Sequence, residues 1–106
     1  MTQETKAQDA NAQDTNEKFF GRADAFIEAA NKLVQANEPG RVGASMLFAA
    51  ARFSSWLAAG RFQSAERMRQ GKDEAMKHFV EQFQQMLNDN IEDHIRQFER
   101  QAQAKK

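Results

Sequence analysis

The stretch RVGASMLFAAARFSSWLAAG, residues 41–60, decides the fold because it places apolar and small side chains on two opposite faces of one helix. At about 100° per residue, the first face carries Val42, Met46, Ala49, Ala50, Phe53, Trp56 and Leu57. The second face carries Ala44, Phe48, Ala51, Ser55 and Ala58, and Phe62 continues it. A surface helix normally has one apolar stripe. This helix is therefore expected to be covered on both sides.

Apolar residues also recur with helical spacing on either side of this stretch. They predict a first helix over residues 17–36, with Thr15 or Asn16 as its N-cap. The sequence NEPG at residues 37–40 separates it from the second helix, residues 41–60, because proline and glycine interrupt helical patterns. The third helix, residues 72–100, is the longest. No run alternates with a period of two, so the expected fold is an all-α three-helix bundle over residues 16–100.

The two ends of the chain lack the apolar residues of a core. Residues 1–15 are predicted to form a disordered tail, and residues 101–106 a polar tail. The core of the bundle is expected to bury Phe26, Ile27, Leu33, Met46, Phe53, Leu57, Phe79, Phe83 and Leu87. Arg52 lies between the two apolar faces of the second helix, so we expect Asp24 or Glu28 to pair with it.

Composition excludes several classes of function. The chain has 15 Lys and Arg residues against 15 Asp and Glu residues, so no net charge attracts it to nucleic acid or to a membrane. The absence of cysteine excludes a disulfide framework and fits a cytoplasmic location. No membrane span is expected at residues 42–59, because a central Arg52 costs about 2.5–3.5 kcal/mol on insertion scales.

The sequence shows no constellation of catalytic or metal-ligating residues. Neither His78 nor His94 has the Glu three positions earlier that carboxylate-bridged metal sites in helical bundles use. The serines lie outside any nucleophile-elbow sequence. We therefore predict no catalytic, cofactor-binding or metal-binding residue, and no enzymatic activity.

Several segments resemble a known family. They are FFGRADAFI at residues 19–27, GRV at residues 40–42 followed by AAARF at residues 49–53, and FVEQF at residues 79–83 continuing through ML at residues 86–87 to NIED at residues 90–93. They are similar to a family of small uncharacterised proteobacterial all-helical proteins, catalogued only as a domain of unknown function. The resemblance covers roughly residues 19–98. It implies a compact helical fold from a bacterium and supplies no substrate or cofactor.

Two functions fit these observations. The first is a small bacterial interaction or structural protein that forms a homodimer and presents a surface to an unknown protein partner. The residues expected to contribute to self-association are Ala44, Phe48, Ala51, Ser55, Ala58, Ile95 and Phe98. The competing arrangement is a flat monomer in which the outer helices cover both faces of the second helix.

The alternative function is that of a nucleic-acid-associated accessory protein. The connection between the second and third helices, residues 61–71, is polar and basic and leaves room for a further helical turn. The candidate phosphate contacts of the basic segment 61–72 are Arg61, Arg67, Arg69 and Lys72. A simpler role for these cations is to offset the acidic first and third helices. The third helix is long enough to extend past a compact bundle unless Asn88-Asp89-Asn90 bends it. A second protomer would cover such an extension.

Overall fold

The computed structural model describes residues 14–105 and contains three helices. They are α1 (Asn16–Val34), α2 (Pro39–Ala59) and α3 (Ala65–Ala104). No strand occurs between residues 14 and 105. The all-α class and the long third helix are thus confirmed. The predicted disordered tail lies outside the described residues, except for its last two positions.

The beginning of α1 is fixed by local polar contacts. The Thr15 side chain accepts a hydrogen bond of 3.2 Å from the Lys18 amide, as an N-cap residue does. The Arg22 guanidinium donates to both oxygens of Asp14, at 2.9 and 2.8 Å. These contacts join the residues before the helix to its first two turns.

A short turn separates α1 from α2. Asn37 donates its side-chain amide to the Leu33 carbonyl at 2.9 Å, and the Ala36 amide donates to the same carbonyl at 3.2 Å, so this carbonyl at the end of α1 is satisfied. Pro39 is the first residue of α2, a position where its missing amide proton is not needed. The helix therefore begins two residues before the predicted Arg41.

The third helix begins earlier and ends later than the sequence pattern indicates. Ser64 accepts a hydrogen bond of 3.1 Å from the Arg67 amide, and Glu66 adds an acidic side chain to the first turn. This start outweighs the cost of about 1 kcal/mol for Gly71 inside a helix. At the other end, glutamine and alanine favour helix. The predicted polar tail is consequently helical through Ala104.

The chain divides within α2 into two compact units. The first ends at Ala51 and contains α1 with the beginning of α2. The second begins at Arg52 and contains the end of α2, the connection and α3.

The expected burial of the core residues is wrong for the single chain. Among the described residues, the buried hydrophobic residues are only Val42 and Ala58, each 8% exposed. Phe79 is half-buried, and the other expected core residues are exposed, including Phe26 at 71% and Phe53 at 61%. Helical periodicity shows which face is apolar, but it does not show what covers that face.

The environment of Arg52 also differs from the expectation. The side chain is exposed, so its charge remains solvated and needs no buried carboxylate. The pairing with Asp24 or Glu28, which belong to the first unit, stays a prediction.

One close contact shapes the corner between α2 and α3. A Cβ atom added to Gly71 would lie 2.5 Å from Cε1 and 2.7 Å from Cζ of Phe62. The ring of Phe62, in the connection, thus lies against the backbone of α3 where only glycine leaves room. In contrast, a Cβ on Gly43 in α2 would meet nothing within 4 Å.

These two glycines give a matched pair of substitutions. Gly43→Ala should raise the free energy of unfolding by about 0.5–1 kcal/mol, since alanine is the better helix former. Gly71→Ala gains the same helix propensity but displaces the Phe62 ring, so we expect it to be at least about 1 kcal/mol less stable than Gly43→Ala. Urea unfolding followed by circular dichroism measures both values. Equal stabilisation by the two substitutions would contradict the contact.

Candidate interaction surfaces

The face of α2 predicted to self-associate is open in the first unit. Ala44, Phe48 and Ala51 are spaced by four and three residues and share one side of the helix. All three are exposed, and Phe48 leaves 66% of its surface accessible. An exposed aromatic side chain flanked by alanines lets another helix approach closely while providing a large contact.

The two candidates that lie on α2 in the second unit, Ser55 and Ala58, contribute less. The Ser55 hydroxyl donates to the Arg52 carbonyl at 2.8 Å, so it already has a partner in its own helix. Ala58 is one of the two buried hydrophobic residues among residues 14–105. Its expected place on an open surface is therefore wrong for the single chain.

The C-terminal part of α3 presents the remaining candidates. Ile95 is 42% exposed and Phe98 is 71% exposed. His94 lies beside them and is also exposed. The helix continues through Asn88-Asp89-Asn90, where the Asn90 side chain donates to the Met86 carbonyl at 2.7 Å.

Helical geometry does not place the three basic candidates of α3 on one face. Arg61 lies in the connection, whereas Arg67, Arg69 and Lys72 lie in the first turns of α3. At about 100° per residue, Arg67 projects roughly 160° away from Arg69. Arg69 also forms an ion pair of 3.2 Å with Glu66. Only Arg69 and Lys72 share a face.

An exposed aromatic pair lies on α2. Helical spacing predicts that Phe53 and Trp56 belong to a covered stripe, but they are 61% and 67% exposed, with ring centroids 5.6 Å apart. Trp56 also lines an open depression with Leu57, Ala59, Gly60 and Arg61. The only signal in the sequence is the single tryptophan, a residue enriched at interfaces.

No three His, Cys, Asp or Glu side chains converge within residues 14–105 to hold a metal ion. In the same residues, α2 is long and apolar enough to cross a membrane, by length and composition. That is a weak indication, because helices from the interior of water-soluble proteins pass the same test. Arg52 lies within this helix.

Comparison with protein families gives one match. The model of the family described as "Protein of unknown function (DUF3144)" matches residues 19–95. The chain belongs to this family. The match covers α1, α2 and most of α3, and it ends before Phe98. Comparison with curated proteins and with solved structures found no significant match.

The dispersed cations lead to a prediction for nucleic acid. Four phosphate contacts would make the logarithm of affinity for duplex DNA fall with the logarithm of salt concentration with a slope near −3.6. Because only Arg69 and Lys72 share a face, we expect any binding to show a slope no steeper than about −2. Fluorescence anisotropy between about 50 and 200 mM salt measures it. A slope near −4 that becomes shallower when Arg67 and Arg69 are replaced by Ala would establish the nucleic-acid alternative.

Proposed function

We propose that this chain is a non-enzymatic bacterial interaction or structural protein that self-associates through its helical surfaces. The observation that carries the proposal is the exposure of its large apolar side chains. They include Phe26, Phe48, Phe53, Trp56, Val80, Ile91 and Phe98, which are each between 49% and 71% exposed. Monomeric soluble proteins rarely leave such extensive apolar surface in water, and larger apolar patches are typical of interaction sites.

A second copy is the simplest cover for these faces. Most soluble oligomers are symmetric assemblies of one chain, and two-fold dimers are the commonest. The face around Phe48 also suits a symmetric contact, since Ala44 and Ala51 allow the same helix of another copy to approach.

Two other partners are less well supported. Nucleic acid would need a continuous basic surface, whereas Arg67 and Arg69 point to different sides of α3. A membrane could receive α2, but the charged Arg52 within that helix opposes insertion. A cytoplasmic location remains part of the proposal. Flotation with phospholipid vesicles tests the membrane directly, and comigration of the chain with vesicles would overturn the soluble self-associating form.

Sedimentation equilibrium tests the proposal on the full chain. We expect a dimer at micromolar concentrations and its dissociation by Phe48→Glu, because the substitution would bury an unpaired charge at the contact. Phe48→Leu is the matched control, since it keeps an apolar side chain at the same position, and it should retain most of the association.

Circular dichroism separates loss of association from loss of fold. The proposal expects Phe48→Glu to keep its helical signal at concentrations where it sediments as a monomer. Global unfolding of Phe48→Glu would place Phe48 in the interior of the single chain. A wild-type chain that stays monomeric at high micromolar concentration would overturn self-association itself.

A further inference from the structure

The third helix is about twice as long as either of the other two helices. At about 1.5 Å per residue, α1 and α2 rise roughly 28 and 31 Å, whereas α3 rises roughly 60 Å. The connection from Ala59 to Ala65 is short, so the end of α2 stays near the beginning of α3. From there α2 is long enough to reach only along the N-terminal half of α3. The C-terminal half needs another cover.

This C-terminal half continues an apolar stripe with an eleven-residue period. Met76, Leu87 and Phe98 are spaced by eleven residues, as are Val80, Ile91 and Ala102. The complete stripe is Met76, Val80, Phe83, Leu87, Ile91, His94, Phe98 and Ala102. An eleven-residue period corresponds to 3.67 residues per turn, and it keeps one face of a long helix in register with a partner helix.

No charged side chain borders this stripe in the C-terminal half of α3. The side chains that border it are carboxamides, namely Gln84, Asn88, Asn90, Gln97 and Gln101. The charged residues of the same half, such as Asp89, Arg96 and Arg100, lie at least about 100° from the centre of the stripe. Arg96 forms an ion pair with Asp93 on that far side. Charge is thus confined to the opposite face.

A charge-free, carboxamide-bordered stripe is complementary to itself. Two identical charged borders would bring like charges together, which is unfavourable. Carboxamides both donate and accept hydrogen bonds, so identical copies can pair across a contact. A strongly charged protein partner or a nucleic acid would find no opposite charges there.

The available area fits a modest interface between two copies. Leu87, Ile91, Ile95 and Phe98 are between 42% and 71% exposed. A fully buried aromatic residue covers about 150–250 Å². At these exposed fractions, the four side chains present about 100 Å² each, or roughly 400 Å² in each copy. With His94, Ala102 and the border, a contact of two copies reaches roughly 1,000–1,200 Å², at the lower end of specific interfaces.

We infer that the segment from Leu87 to Ala102 of α3 pairs with the same segment of a second copy of this chain. The inference rests on the proposed function and adds a contact on a defined segment of α3 to the contact around Phe48. It adds Leu87, Ile91, His94 and Ala102 to the interface. The occupant is another copy because the stripe is uncharged, self-complementary and out of reach of α2.

Sedimentation equilibrium of the full chain, from about 1 to about 300 µM, tests this pairing at the concentrations that a small interface requires. Phe98→Glu should weaken dimerisation at least about 100-fold, because it buries an unpaired carboxylate. Gln82→Glu is the matched control. It adds the same charge to the same helix about 160° away from Phe98, and it should leave the dimer unchanged.

The outcomes separate this inference from the proposed function. If the wild-type chain dimerises and Phe98→Glu dimerises equally well, the pairing of α3 is wrong while self-association stands. If the wild-type chain is monomeric over the whole range, both fail. A helical circular dichroism signal for Phe98→Glu, equal to that of the wild type, shows that folding is retained.

Cross-linking provides a second test that adds no charge. The sequence contains no cysteine, so His94→Cys places a single thiol near the middle of the stripe, while Arg96→Cys places one on the opposite side of the helix. Under mild oxidation we expect rapid formation of a covalent dimer by His94→Cys and at least about tenfold slower formation by Arg96→Cys. Equal rates for the two variants would overturn the pairing.

Discussion

The structure depends on how the apolar faces of its helices are removed from water. Helices of this length gain most of their stability from packing an apolar face, not from intrinsic propensity. Val42 and Ala58 are the buried hydrophobic residues of the described chain. The caps at Thr15 and Ser64 contribute about 1 kcal/mol each, which is small beside the entropy cost of about 1–2 kcal/mol for each ordered residue. The remaining stabilisation must come from covering the exposed faces.

Surface charge does not supply that stabilisation. The ion pairs found between residues 14 and 105 join exposed side chains, mostly within one helix, as in Lys77 with Glu81 and Arg69 with Glu66. Such pairs contribute from about zero to 1 kcal/mol each. Their role is to keep one side of each helix soluble while the other side stays apolar. This separation is most complete in the C-terminal half of α3, because no charged side chain lies on the apolar stripe or on its border.

The sequence predicts the class and the number of helices because Pro39, Gly40 and the N-cap at Thr15 act locally. The pattern misplaces the start of α3 because most residues from Arg61 to Lys72 are polar and basic, as in a connection. A single cap, Ser64, was enough to begin the helix there. The predicted burial of Phe53 and Phe26 depends on distant contacts, which periodicity cannot show. Spacing alone identifies the apolar face around Phe48. It does not show that Ala58 on the same face is buried, because that burial also depends on distant contacts.

Length and patterning together restrict how the chain can complete its core. The faces around Phe48 and Phe53 lie on α2, where helices of the same chain are long enough to reach. The segment after Leu87 is out of reach of α2, because α2 is about half as long as α3 and ends near its beginning. The end of α3 is consequently the part of the chain that α2 cannot cover, and its uncharged border makes an identical segment the partner with the fewest unfavourable contacts.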